Sequence, residues 1–309
     1  MTTSEKFNLI IQLSIPSILA QITTVLMFYI DAGMVGSLGA EPAAAIGLVE
    51  PATWLFFSLI GAVTMGFSVQ AAHFIGAKDF SKARSVMRHG YAFGLCFALC
   101  FLLVTVLIAP YLPIWLRGGK DIQHDASTYF LIFSFIIPFH LLEVMSASML
   151  KVSGDMRRPS SMAILMCVLD VIFNYFFIFP THDITLLGLQ VTVPGWGAGV
   201  AGAAFGSLLA FIAVALPLAY YAIFRSPILA WKLDVERFVW RWQYIWNAMK
   251  IGSPMALQYL LMNGAQLVST MIVAPLGNVS IAAHSFAITA ESLCYMSGYG
   301  ISEAATTLV

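Results

Sequence analysis

Long apolar runs separated by short polar or glycine-rich turns make up nearly the whole chain. A bilayer core about 30 Å thick takes roughly 20 apolar residues per helix. Runs of that length recur at approximately 7–37, 43–76, 89–116, 126–150, 160–180, 196–224, 251–276 and 279–309. The pattern predicts an all-α, polytopic integral membrane protein with about eight transmembrane helices. Pro16, Pro51, Pro138, Pro217 and Pro254 fall inside the runs. Each lacks an N–H and kinks its helix unless neighbours satisfy the freed carbonyl, and Pro16 is the expected kink of the first span.

The turns carry the charge. The segments after the even-numbered runs and before the first hold Lys6, the Lys78–Arg88 group, Lys151, Arg157 and Arg158, and the Arg225–Lys250 group; the other turns hold only Arg117 and Lys120. By the positive-inside rule the N-terminus is cytoplasmic, and no Lys or Arg is left within a span. The stretch 226–250 adds Trp231, Trp240, Trp242 and Trp246 to its charges. It reads as an amphipathic inner linker lying in the membrane interface.

An internal repeat organises the runs. Pro16 aligns with Pro254, Leu38-Gly39 with Leu276-Gly277, and Ala44-Ala45 with Ala282-Ala283, all in one register; Gly66-Phe67-Ser68 then aligns with Gly300-Ile301-Ser302 after a short indel. Residues 1–225 read as a first six-helix lobe, and 251–309 as the first two helices of a second. The two repeats are parallel, because six helices return the chain to its starting side. The symmetry predicts about four further helices, so the expectation is a C-terminally truncated piece of a protein with about twelve.

Composition agrees with the hydropathy. Of 309 residues 60% are hydrophobic and only 10% charged, against about 25% charged in soluble domains. Net charge is zero, so nothing suggests nucleic acid. Cys96, Cys100, Cys167 and Cys294 lie in apolar runs without a C-x-x-C pair, and they read as packing residues. There is no Walker A, G-x-S-x-G or H-E-x-x-H motif, which weighs against an intramembrane enzyme. The run Gly195–Gly206 contains two G-x-x-x-G spacings, which let helix backbones approach closely.

The candidate chemistry is carried by six carboxylates in or at the ends of spans: Asp31, Glu50, Glu143, Asp170, Glu291 and Glu303. A carboxylate at the bilayer centre costs about 2.5–3.5 kcal/mol or more. With no basic side chain in any span, the compensation must be a proton, a metal cation, a cationic substrate or a water-filled cavity. Thr24, Phe28, Asp31 and Val35 share a helical stripe, which makes Asp31 the strongest case. Asp170 and Asn174, four apart, share a face and suit either a cation or a polar helix–helix contact. Glu50 precedes Pro51 and is positioned to answer the backbone freed there. Glu143 follows His140 at i, i+3, too few ligands for a metal site. Glu291 and Glu303 align with Thr53 and Val69, and Asp31 with Ser269, so the acids do not follow the repeat.

Taken together, Pro16, Asp31-x-x-Met34-Val35-Gly36-x-Leu38-Gly39, Leu150-x-x-x-Gly154-Asp155-x-x-x-Pro159, Gly197-x-Gly199-x-x-Gly202-Ala203-Ala204, His284 through Glu291 and Gly300-x-x-x-Ala304-Ala305-x-x-Leu308-Val309 resemble the multidrug and toxic compound extrusion family. The tail of the eighth span is similar to its DinF-like bacterial branch. The resemblance implies two six-helix lobes around a central cavity in the bacterial cytoplasmic membrane. It implies export of cationic or amphipathic drug-like compounds in exchange for Na⁺ or H⁺, with no cofactor and with a monomer in contact with membrane lipid. The family's first-span acid falls on Asp31 and its fifth-span polar pair on Asp170 and Asn174, in reversed order from many relatives. These three are the expected cation-coupling residues. Thr24, Glu50, Glu143, Glu291 and Glu303 are the expected cavity or gating residues. The seventh-span acid of NorM-like members is replaced by Asn263 and Gln266. Two alternatives stand beside this reading: a lipid-linked oligosaccharide flippase of related architecture, and a truncated fragment that does not transport.

Overall fold

Where the structure describes them, the apolar runs fold as helix, because nothing but the backbone itself can satisfy its N–H and C=O groups in lipid. The computed structural model describes residues 22–23, 26–186, 189–233 and 239–291, apart from the side chains of 182–193. Its helices are α1 (Leu26–Gly36), α2 (Ala40–Gly76), α3 (Phe80–Ile108), the single turn α4 (Leu112–Trp115), α5 (Gln123–Ser134), α6 (Ile136–Val152), α7 (Arg157–Ile178), α8 (Gly199–Tyr220), α9 (Trp242–Val273) and α10 (278–291). Among the described residues five helices are long and apolar enough to span a membrane, and six if α5 and α6 are one bent span. Pro16, Thr24 and Glu303 lie outside the described residues.

Two boundaries differ from the hydropathy reading for a physical reason. α3 begins at Phe80 and α9 at Trp242, well before their apolar stretches, because charged turns extend both helices past the lipid. Asp79 caps α3, accepting the Lys82 N–H at 3.2 Å and pairing with its ammonium at 2.7 Å. The hydrogen bond from Lys82 holds the Asp79 carboxyl below its usual range. The predicted fourth span is broken: α5 and α6 meet at 43°. Pro138 explains the bend, since it offers no N–H to the Ser134 carbonyl four residues back. A further departure from an all-helical chain is the antiparallel hairpin of β1 (Pro180–Leu186) and β2 (Leu189–Trp196) between α7 and α8. Lipid contact is legible on α3, where Leu95, Leu99, Leu103 and Leu107 form an exposed stripe.

The repeat is visible in backbone conformation. Gly39 (φ 118°) and its counterpart Gly277 (φ 102°) both adopt the left-handed region that only glycine takes without strain, and each immediately precedes a helix. α9 lies along α2, and the crossing is made by glycines. A Cβ on Gly66 would sit 2.2 Å from the Ala248 carbonyl oxygen, and one on Gly252 would sit 2.7 Å from that of Ala62. Buried Gln70 fastens the crossing, its Nε2 donating to the carbonyls of Gly66 and Tyr244 at 3.0 Å each. Asn263 Nδ2 donates to Ser58 Oγ at 3.2 Å. Gly66→Ala forces two backbones apart, and a loss of about 1–3 kcal/mol or more is expected in thermal unfolding.

The linker region packs against the basic end of α3. Arg84 donates to the Ile228 carbonyl at 3.1 Å, and Arg88 donates to that of Trp231 at 2.8 Å while lying over the Trp231 ring. His89 Nδ1 faces the Ser85 carbonyl at 2.7 Å, and Nε2 accepts the Arg241 backbone N–H at 2.8 Å. These partners place the ring proton on Nδ1. His89→Ala removes that acceptor from the exposed Arg241 N–H, and a loss of about 0.5–1.5 kcal/mol in unfolding free energy is expected for the hydrogen bond. Nearby, Asp155 pairs with Arg158, whose guanidinium lies 4.2 Å from the centre of the Tyr221 ring.

Candidate functional site

Three helices bring the polar residues of the apolar interior to one place. On α1 the stripe Phe28, Asp31 and Val35 faces a cavity of about 250 Å³. On α7 the i, i+4 pair Asp170 and Asn174 faces the same cavity; both are buried, 2% and 1% exposed. α8 supplies Ser207, whose hydroxyl reaches Asp170.

Asn174 joins the two acids. Its Nδ2 donates to Asp31 Oδ1 and to Asp170 Oδ2, each at 3.0 Å. The carboxylates of Asp31 and Asp170 are themselves within hydrogen-bonding reach of one another. Two ionised carboxylates at that separation, away from water, repel strongly; a shared proton or a bound cation removes the repulsion. The Asn174 amide nitrogen therefore occupies the place between the two acids where a cation is best solvated. A half-turn of that amide exchanges its NH₂ for its oxygen, giving an all-oxygen set of Asp31, Asp170, Asn174 and Ser207. Oxygen donors are what hard cations take. Asn174 Oδ1 is buried without a hydrogen-bond partner among the described residues.

The small-residue run places this pair. A Cβ on Gly202 would lie 2.3 Å from the Phe177 carbonyl oxygen, and one on Gly206 would lie 2.1 Å from Asn174 Oδ1. The absence of side chains at these positions lets α8 press directly on the turn of α7 that carries Asn174.

The other acids divide. Glu50 lines the cavity, but its carboxylate does not answer the backbone at Pro51. It accepts Ser285 Oγ–H of α10 at 2.9 Å and Trp54 Nε1–H at 3.4 Å, because these donors face the cavity side of α2. Glu143 also lines the cavity, its Oε2 lying 3.8 Å from His140 Nδ1. The His140 ring stacks on Phe57 at 4.1 Å. Glu291 is exposed and outside the cavity wall. Sequence reasoning did not single out Trp54, Tyr129 or Ser207, and met Ser285 only within the His284–Glu291 run; Ser207 left a signal as a hydroxyl one residue after a G-x-x-x-G step. The lining combines aromatic rings and carboxylates and contains no Lys or Arg among the described residues. No group of three or more His, Cys, Asp or Glu among the described residues could hold a metal ion. Asn278, in an N-x-S pattern, hydrogen-bonds Asp121.

Comparison with known proteins gives a consistent picture. The MatE family model matches residues 16–176 and 254–309. The chain is 25% identical over 301 residues to a probable multidrug resistance protein NorM of Thermotoga maritima, covering 97% of this chain and 62% of the relative. It is 25% identical over 309 residues to a protein of the same description from Agrobacterium fabrum, covering 98% and 63%. The chain thus spans less than two thirds of the length of these curated relatives. Among solved structures, it superposes at TM-score 0.81 and 22% identity on the outward-facing conformation of a multidrug resistance MATE family transporter of the MOP superfamily, covering 97% of this chain and 63% of that one. A Pyrococcus furiosus MOP superfamily transporter, described by the reverse polarity of its binding pocket, also gives TM-score 0.81 at 22% identity, with the same coverage.

Proposed function

The chain belongs to the MatE family, a family of transporters and not of enzymes, and from that premise we propose that the whole protein is a secondary antiporter. It exchanges a cationic or amphipathic drug-like compound for Na⁺ or H⁺. The observation that carries this reading is the Asp31–Asn174–Asp170 bridge, two acids held by one amide at the wall of an aromatic cavity that has no Lys or Arg among the described residues. Charge balance there requires a cation, and a transported cation meets the requirement with no resident metal. Binding of that cation biases the equilibrium between conformations to the extent that it favours one of them.

The remaining features are read in the same frame. Residues 1–225 form one lobe and 251–309 open a second, parallel one, joined by the interfacial linker 226–250. The N-terminus is cytoplasmic, the protein sits as a monomer in a bacterial inner membrane, and the branch is DinF-like. A flippase for lipid-linked oligosaccharides needs Arg or Lys for diphosphate, and a cavity with neither among the described residues disfavours it.

The test is dye efflux from vesicles containing the whole protein, with inward Na⁺ and H⁺ gradients imposed separately. Efflux driven by at least one gradient is expected. Efflux indifferent to both removes the antiporter reading.

A further inference from the structure

Glu50 is a third cavity carboxylate, and the bridge between the two aspartates does not use it. One of its oxygens accepts the Ser285 hydroxyl at 2.9 Å, and the other receives only a long 3.4 Å bond from Trp54. A carboxylate offers about four acceptor positions, so most of its capacity is open to the cavity. The rings around it are arranged edge to face. Phe28 meets Trp54 at 5.2 Å and 82°, and Trp54 meets Phe57 at 6.4 Å and 78°. A carboxylate beside aromatic faces, with no Lys or Arg on the cavity wall among the described residues, is the chemistry that recognises a bulky organic cation.

We propose that Glu50 and Trp54 form an organic-cation anchor separate from the site at Asp31, Asp170 and Asn174. The proposal rests on the transporter reading above and divides the cavity by size. Asp170 and Asn174 are 2% and 1% exposed, which leaves room for a proton or a small ion but not for a substituted ammonium. Glu50 stands on α2 beside aromatic surface that such a group can cover. The anchor also spans the two repeats, because Ser285 belongs to α10. That helix is seated tightly: a Cβ on Gly47 would meet Ser285 Cβ at 2.7 Å. A substrate cation drawing on Glu50 therefore competes with the hydroxyl that ties α10 to α2.

The probe is tetraphenylphosphonium, titrated by calorimetry into the whole protein in detergent. Glu50→Gln is expected to weaken binding by about tenfold or more, about 1.4 kcal/mol, because it removes the charge that balances the probe. Asp31→Asn removes a charge from the wall of the same cavity but no contact to the probe, and is expected to weaken binding clearly less than Glu50→Gln does. Unchanged affinity in Glu50→Gln, or an equal loss in Asp31→Asn, overturns the anchor and leaves the antiporter reading standing. Failure of the folded wild type to bind the probe overturns both. If Glu50→Gln does not fold, Trp54→Phe and Trp54→Leu decide the point: the aromatic variant keeps affinity and the aliphatic one loses it, and equal affinities refute the anchor.

Discussion

Replacing Asp31 by Asn in the whole protein is expected to abolish cation-driven efflux while the fold persists. The substitution is nearly isosteric, and Asn174 Nδ2 still finds an acceptor oxygen at position 31, as it does at 3.0 Å in the wild type. What is lost is the second negative charge, and with it the reason for a cation to reside between α1 and α7. A hydrogen bond to a charged group contributes about 1.5–3 kcal/mol, so initial efflux rates should fall roughly 10- to 100-fold under an imposed gradient. Asp170→Asn should behave alike. The double variant should be little worse than either single one, because residues acting as a unit are not additive. Glu143→Gln, which faces His140 at 3.8 Å and lies outside the bridge, should cost much less. Initial rates of dye efflux in vesicles, compared across the four variants, check the ranking.

The second large effect is expected at a residue with no side chain. Gly206→Ala places a Cβ 2.1 Å from Asn174 Oδ1 and 2.8 Å from the Asn174 backbone nitrogen. Backbone cannot yield as a flexible side chain does, so α7 and α8 must separate. Overpacking of this kind costs about 1–3 kcal/mol and at times more, and thermal unfolding should register it. Gly202→Ala meets the Phe177 carbonyl oxygen at 2.3 Å and should destabilise comparably. The two differ in what else they disturb. Only Gly206→Ala displaces the amide that joins Asp31 to Asp170, so only it should also abolish the stabilisation conferred by the coupling cation. Unfolding of both variants with and without Na⁺, and across pH, separates the two effects.

Much of the architecture is legible in the sequence because lipid imposes strict rules. Hydropathy locates the spans, and the glycines of the repeat mark turns whose φ angles then agree at Gly39 and Gly277. The Gly195–Gly206 run announces a close helix contact, which α7 and α8 make. The helical extensions into charged turns are not legible, because hydropathy stops where lipid stops and a helix need not. The hairpin at Pro180–Trp196 escapes for a similar reason, being a local structure between spans.

The site divides along the same line. Asp170 and Asn174 are four residues apart, and helical periodicity alone puts them on one face. That Asn174 reaches Asp31 is a contact across 143 positions of sequence; only the packing of α1 against α7 creates it. Glu50 lines the cavity as expected of a cavity residue, but its partner could not be read locally, since the donor stands 235 positions away on α10.

In the proposed antiporter Asp31 and Asp170 exchange their charge balance with a small cation. The most direct test is infrared difference spectroscopy of the whole protein, recording the carbonyl stretch of protonated carboxyl groups across a pH step with and without Na⁺. A carboxyl band is expected that disappears as pH rises or Na⁺ binds, and that is absent from Asp31→Asn. A band unchanged by that substitution, or a wild-type spectrum indifferent to both pH and Na⁺, would contradict that exchange.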